Sequence, residues 1–464
     1  MLEFQAFLQA GDKDAAMAWI DDEFNKNPHS ESGAFAFACL MVESQHPGPA
    51  LFILRQLAHK NPKSAPAFQN LCRTYEEFDM PDEAVGAIKK AYALKPDSPE
   101  IIAGLGCAYT KAQKWERAIE WCNKRLEIGD DIQSTVNLGF CYLSTGRYAE
   151  GWDAYNQGIG HMTWRHFHDY GLKNWEGERG KVLFYKEQGI GDQIAFLSCI
   201  EEAIADGIVS AVAVQSKLVQ LFRDTLTIPV FEDTDVADWV DTIDAEYSAP
   251  MSMLPQVYRR ESFPGTPYLK VNAAKKMQWQ ALLDSTSDKP KIGIAWTGGS
   301  KNSAGFRHRN MPLKSFAPLF EMDATFISLQ YKDDDTQGYD IHSWPWGTQT
   351  DDYSDTAALV SCLDAVVCVP TTAYHLAGAL GVPAIVLTHD RPHFHESLPW
   401  WNSVTFVPNS THMDSIQEQL NAYIYRNGRE ATSRVHSPAI EHSPPREQAS
   451  SNNAFAAFST PDLA

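Results

Sequence analysis

Along the first third of the chain, apolar residues recur with helical spacing, and the helices themselves recur. Proline stands at Pro28, Pro62 and Pro96, and alanine at Ala16, Ala50, Ala84 and Ala118, every step being 34 residues. Tyr75 and Tyr109 keep the same step, as do Leu71 and Leu105. This period, with a small residue at one helix crossing and proline after the second helix, predicts a solenoid of helix–turn–helix repeats. Alanine lets two helices approach, larger residues fill the space beside it, and proline ends the second helix. The best copy runs from Ala65 to Pro96, with Phe68, Leu71, Cys72, Tyr75, Ala84, Ile88 and Ala91 as its apolar positions. The next carries Ile102, Leu105, Gly106, Tyr109 and Ala118, and a third has Leu138, Gly139 and Tyr142, with Ala149 as its small residue. About four repeats are expected over residues 1–160.

After Trp175 the pattern changes to short β-branched or apolar runs alternating with helical stretches, which predicts βα units and mostly parallel sheets. Val182–Tyr185, Ala211–Val214, Lys291–Trp296, Thr325–Leu329, Ala365–Val369 and Ala384–Leu387 read as strands. Helices are expected at Ile194–Asp206, Lys217–Thr225, Leu313–Phe320, Asp355–Leu363 and Ala373–Leu380. The expected organisation is a repeat domain over 1–160, a first Rossmann-like domain over 161–282 and a second over 283–427, with residues 281–290 as the hinge. Residues 428–464 turn to Ser, Pro, Asn and Ala without periodicity and read as a disordered tail. Two Rossmann-like blocks facing across a cleft place the chemistry in the loops beyond the carboxyl ends of the strands.

Composition narrows the function. The formal charge of −20, from 59 acidic and 39 basic residues, argues against a broad nucleic-acid or anionic-lipid surface. No apolar run approaches the ~20 residues that span a bilayer. The start, MLEFQAFLQAGDKDAA, shows no basic region followed by an apolar core, and the eight cysteines form no C-x-x-C pair. Both point to a cytoplasmic protein with free thiols. Against the acidic background, residues 289–320 hold six bases (Lys289, Lys291, Lys301, Arg307, Arg309 and Lys314) and no acid, whereas residues 224–258 hold eight acids and no Lys or Arg.

Three loops carry candidate chemistry. Gly189-Ile190-Gly191-Asp192 lies between a strand and a helix, where glycines permit positive φ and close approach of a ligand. Asp192 there reads equally as a helix cap or as a functional carboxylate, and the G-x-G pair falls short of the dinucleotide fingerprint. The glycine-rich loop Thr297–Met311, with Gly298, Lys301, Arg307 and Arg309, suits phosphate oxygens or is a solvated basic loop. Thr371 and Thr372 follow a strand at a helix start, where hydroxyls and backbone amides make a diphosphate cradle; His375, one turn in, is either structural or part of that site. The stretch His389–Glu396 lacks a standard ligand spacing, so no metal is expected.

The repeats resemble the tetratricopeptide pattern position by position, and such arrays present a groove to peptides or proteins. The motifs EQGIGDQIAF, GIAWTGGSKN, RHRNMPLKSFAPL, SLQ, DTAALVSCLDAVVCV and TTAYHLAGALGVPAIVL, spread over residues ~175–410, resemble the GT-B glycosyltransferases of the ADP-heptose:lipopolysaccharide heptosyltransferase group. The layout is also similar to O-linked N-acetylglucosamine transferases and to repeat-bearing flagellin glycosyltransferases. The resemblance implies a nucleotide-sugar donor, an inverting reaction without metal or cofactor, and Asp192 as general base. It implies donor contacts from Gly189, Gly191, Gly298, Lys301, Arg307, Arg309, Gln330, Thr371, Thr372 and His375. The family's aspartate before Thr371 is here Pro370. The acceptor expected is a protein, such as flagellin, recruited by the repeats. The alternatives are an inactive scaffold and a lipopolysaccharide or glycan transferase.

Overall fold

The structure, a computed structural model, describes residues 2–27, 30–43, 47–162, 165–234, 239–298, 309–332, 335–388, 398–408 and 413–434. The chain divides into two compact units. One holds the residues up to His166 together with Pro255–Ser262; the other holds Phe167–Leu254 and, apart from residues 391–398, the chain from Phe263 onward.

The first unit contains ten helices among the described residues: α1 (Leu2–Gln9), α2 (Lys13–Lys26), α3 (Glu31–Glu43), α4 (Pro47–Lys60), α5 (Ala65–Glu77), α6 (Pro81–Leu94), α7 (Pro99–Lys111), α8 (Trp115–Leu126), α9 (Ile132–Ser144) and α10 (Tyr148–Asn156). They pair as five antiparallel hairpins, one more than the spacing of prolines and alanines indicates, because the alanine step marks α2, α4, α6 and α8 and meets no alanine in α10. Ala16, Ala50, Ala84 and Ala118 all have 0% exposure, so each lies at a helix crossing that admits nothing larger. Pro62 and Pro96 follow the ends of α4 and α6, while Pro81 and Pro99 open α6 and α7, where the missing amide costs no hydrogen bond. In the last hairpin Gly151, and not the expected Ala149, meets the preceding helix, against Leu143; the 34-residue step itself falls on Trp152, which is fully buried.

Two clusters fix this unit. Asp153 on α10 accepts two hydrogen bonds from Arg260, at 2.7 and 2.8 Å, and one from Gln256, which also takes a bond from Asn156. Arg165 is fully buried with its guanidinium 3.9 Å from the centre of the Tyr155 ring, donating to Asn156 Oδ1. Farther along the repeats, the Sγ atoms of Cys72 on α5 and Cys107 on α7 lie 3.7 and 3.9 Å from the two oxygens of Glu76, which also pairs with Lys111. Burial, reinforced by the Glu76 charge, pushes both thiols up, that of Cys107 to about 12.

The second unit is built on two all-parallel sheets. The first lobe runs β1 (Lys173–Asn174), β2 (Val182–Tyr185), α11 (Ile190–Phe196), α12 (Ile200–Ala205), β3 (Val209–Val214), α13 (Val219–Thr225), β4 (Val230–Glu232) and β5 (Tyr247–Pro250), in the order β1-β5-β2-β3-β4. A helix, α14 (Met253–Tyr258), follows β5. The second lobe holds α15 (Ala273–Thr286), β6 (Lys291–Ala295), β7 (Thr325–Ser328), β8 (Ile341–His342), α16 (Pro345–Thr348), α17 (Tyr353–Val360), β9 (Ala365–Cys368), α18 (Thr372–Leu380), β10 (Ala384–Thr388), β11 (Val404–Pro408) and α19 (Met413–Arg434). Its sheet order is β11-β10-β9-β6-β7-β8, the doubly wound order of dinucleotide-binding sheets.

Two boundaries and one helix type differ from expectation. Residues 281–286 are the last turns of α15, whose Trp279 and Leu283 are buried and which packs on α17, so the chain passes between the lobes before α15, in the segment that follows α14. Leu313–Glu321 is a 3₁₀ helix with Pro318 inside it. Helix α19 runs to Arg434, past the expected start of the tail, since Glu and Arg sustain a helix there; residues 435–464 lie outside the described residues.

A Cβ added to Gly139 would lie 2.6 Å from the backbone nitrogen of Tyr155, which cannot yield without moving α10, whereas one on Gly86 meets nothing within 4 Å. Gly139→Ala is expected to destabilise the repeat by about 1–3 kcal/mol. Gly86→Ala should stabilise it by about 0.5–1 kcal/mol. Urea unfolding of the two variants followed by circular dichroism checks both signs.

Candidate functional site

In a doubly wound sheet the crevice opens where the strand order reverses. In the second lobe that point lies between β6 and β9, and the two loops singled out for anion binding leave the ends of those two strands. In the first lobe it lies between β2 and β5, and the Gly189–Asp192 loop leaves β2. The topology therefore puts all three candidate loops at reversal points. It also joins them, because α11 packs on α18 across the lobes.

Neither glycine of the first loop uses a positive φ. The left-handed residue is Gln188, at φ +64, while Gly189 is extended at φ −83. The glycine requirement is one of space: a Cβ on Gly191 would come within 2.9 Å of His375 Cδ2. Asp192 Oδ2 accepts the Gly189 amide at 3.0 Å and so caps α11. Burial pushes the Asp192 carboxyl above the usual carboxylate range, and neither the Gly189 amide nor the positive charge of Arg309 cancels that effect. Of the two readings that its sequence position left open, the structure shows the helix cap.

Thr371 is the N-cap of α18, its hydroxyl accepting the Ala373 amide at 3.3 Å, and Thr372 is the first helical residue. The helix N-terminus beyond them presents amides and a positive dipole end toward the crevice. Gly298 lies against the Thr371 methyl so closely that no side chain fits between them. The chain on either side of residues 299–308 is held together by a bridge from Thr297 to Asn310, by the Asn310 amide on Gly298 O and by the Met311 amide on Trp296 O at 2.9 Å. Arg309 stands exposed beside this neck, and Lys301 and Arg307 lie outside the described residues. Gln330 is buried at the end of β7. Its Oε1 accepts the amides of Trp296 and Thr297, and its Nε2 donates to Thr297 Oγ1, so it shapes the start of the glycine-rich loop.

His375 is 5% exposed, and its Nδ1 accepts the indole N–H of Trp401 at 3.2 Å. Trp401 stacks on Tyr268, whose hydroxyl donates to Ile194 O of α11 and whose backbone amide donates to Ala379 O of α18. Sequence reasoning missed Tyr268 and Trp401; the only signal was a Trp-Trp pair after the proline- and histidine-rich loop. It also missed the contacts of Lys217 with Asp351 and Thr350 O, and of Lys275 with Asp352 and Asp355, which join the loops at the lobe edges.

At the rim of the first lobe, Asp233 follows β4 with its side chain 3% exposed. It accepts a hydrogen bond from Tyr170 and pairs with Lys186 at 3.0 Å and His168 at 3.3 Å. Burial opposes its ionisation, but the hydrogen bonds from His168, Tyr170 and Lys186 outweigh it and hold the carboxyl below the usual value. His168 stacks on Tyr185 with ring centres 4.8 Å apart.

The fold defines a tetratricopeptide-type helical repeat followed by a two-lobed α/β part of the GT-B type, in which the loop that carries Asp192 and the start of α18 meet between the lobes. No family model matches the chain. It is 25% identical to Protein FlbA of Caulobacter vibrioides over 423 residues, 81% of this chain and 69% of that protein. Among solved structures it is similar to the ADP-heptose lipopolysaccharide heptosyltransferase II of E. coli, at 12% identity and a TM-score of 0.39 over 53% of this chain and 99% of the other. It is also similar to a tetratricopeptide repeat protein of Thermus thermophilus, at 19% identity and a TM-score of 0.30 over 33% of this chain and 85% of the other.

Because the folded state holds Asp233 below its unfolded value, the stability it adds is present above about pH 4 and is lost as pH falls through the lowered value. Asp233→Asn should cost about 1–3 kcal/mol at pH 7 and progressively less below pH 4. Urea midpoints of both proteins between pH 3 and pH 7 measure the convergence.

Proposed function

We propose that the protein is an inverting glycosyltransferase that moves a sugar from a nucleotide-sugar donor to an acceptor hydroxyl. The observation that carries this reading is the packing of the Asp192 loop on the start of α18, which brings a raised carboxyl beside a helix N-terminus suited to a diphosphate. In the proposed reaction, Asp192 takes the proton of the acceptor hydroxyl as its oxygen bonds to the anomeric carbon. The bond from that carbon to the phosphate oxygen breaks, and the nucleoside diphosphate leaves with the electron pair. The amides at Thr371 and Thr372, with Arg309 and the neighbouring Lys301 and Arg307, would bear the charge that grows on the leaving group. That supply of positive charge supports a reaction that needs no metal. His375 would contribute one further contact, and Gly189, Gly191, Gly298 and Gln330 would shape the walls.

The helical repeat supports a protein or peptide acceptor, and flagellin fits that class. Among the described residues no helix is long and apolar enough to cross a membrane. This is compatible with the cytoplasmic location proposed. Pro370, where the resembling family has aspartate, favours a scaffold without activity as the second reading.

Thermal shift with ADP-, GDP-, UDP- and CMP-linked sugars separates the two. A donor present at 100 times its Kd should stabilise the protein by about 2.7 kcal/mol, with EDTA making no difference. No shift with any of them rules the enzyme out. With the donor found, kcat/KM should rise with pH as Asp192 deprotonates and level off above its raised pKa. Asp192→Asn should lower the rate about 10²–10⁴-fold and abolish that limb of the profile.

A further inference from the structure

The proposed reading leaves open in which protonation state His375 serves the site, and the surroundings of the ring decide it. The Trp401 indole nitrogen carries a hydrogen and can only donate, so at 3.2 Å it requires a lone pair on His375 Nδ1. A histidine whose Nδ1 accepts is either neutral with its proton on Nε2, or it has lost this bond. The indole cannot easily turn away. It stacks on Tyr268 at 12° between ring planes, it covers Gly378 where any side chain would collide with it, and it is 4% exposed. Tyr268 is in turn fastened to α11 through its hydroxyl and to α18 through its amide. On another side of the ring, Cδ2 faces Gly191, in the loop that ends at Asp192.

From this arrangement we infer that Trp401 is a positioning residue: it holds His375 neutral with the proton on Nε2, so that the histidine acts at the lobe junction as a hydrogen-bond donor and not as a base. The assignment rests on the reading of the α18 N-terminus as a diphosphate site. It divides the labour there. Asp192 takes the acceptor proton, and His375 adds a neutral donor beside the helix amides. A donor fixed in this way needs no reorientation when an anion arrives. Lysine or arginine in the same place would bring a full charge into a buried junction, at a desolvation cost that a neutral imidazole avoids.

The decisive measurement is the imidazole ¹⁵N spectrum of the full-length protein labelled at histidine, with His375 assigned by its absence in His375→Gln. The expected spectrum at pH 7 has an unprotonated Nδ1 and a protonated Nε2. A proton on Nδ1, or a cationic ring, overturns the assignment. Trp401→Phe removes the donor together with part of the packing. Replacement of Trp401 by 3-benzothienylalanine, in which sulfur stands for the N–H in the same ring system, removes the donor alone. Both should release His375 to a mixture of tautomers and should weaken the binding of inorganic pyrophosphate, measured by calorimetry, about 5- to 10-fold, the loss expected for one neutral hydrogen bond. An unchanged spectrum, or unchanged pyrophosphate affinity once the tautomer has changed, overturns the role of Trp401. If the unmodified protein binds no pyrophosphate, the diphosphate reading of α18 fails, and the spectrum still decides what Trp401 does to His375.

Discussion

The α/β part depends on how closely its backbones approach helix α18. Three glycines that no other residue can replace in place stand around it: Gly298 against Thr371, Gly191 against His375, and Gly378 on the helix itself beneath Trp401. Each contact removes a layer of side chain between two segments, so α18 is held by the loop after β6, by the loop of the other lobe and by the segment after residue 398. A helix held in that manner has little freedom to shift, and its amide-bearing start is fixed with it. That is the form of preorganisation an anion site needs, since the dipoles are already aligned before charge develops.

Electrostatics work at a shorter range here than the overall charge of −20 suggests. At ordinary ionic strength charges more than about 10 Å apart are largely screened. The site therefore responds to its immediate neighbours: a carboxyl raised by burial at Asp192, the exposed Arg309 beside it, and a histidine whose ring is shielded from solvent. Among the described residues of the acid-rich stretch from 224 to 258, one carboxylate, Asp233, is buried, and Lys186, His168 and Tyr170 surround it. Its charge is spent in holding the carboxyl ends of β2 and β4 together.

Much of this was legible in the chain. The 34-residue step exposed the repeats because each alanine at a crossing sits under the same steric demand, and the long strands β2, β3, β6, β7, β9 and β10 showed as apolar runs. Of the strands that escaped, β1, β4 and β8 have only two or three residues, and β5 and β11, as long as some that were found, carry Ser, Thr or Pro among their apolar residues, so no apolar run shows. The end of α15 read as a hinge because Ser, Thr and Asp cluster there, although Trp279 and Leu283 tie it to the core. At the site, the loops were found from their place after strands. The partners that come from distant segments, Trp401 to His375 and Tyr268 to Ile194, have no local pattern, and the left-handed backbone at Gln188 was hidden because the neighbouring glycines drew attention to themselves.

The paired thiols of the repeat have a chemical consequence. The thiolate is the form that attacks oxidants and electrophiles, and burial disfavours it at both cysteines. Cys72 and Cys107 share the Glu76 carboxylate, and burial, reinforced by that charge, keeps both as thiols. The repeat thus packs these two sulfur-bearing side chains as small apolar groups that oxidants and electrophiles find unreactive.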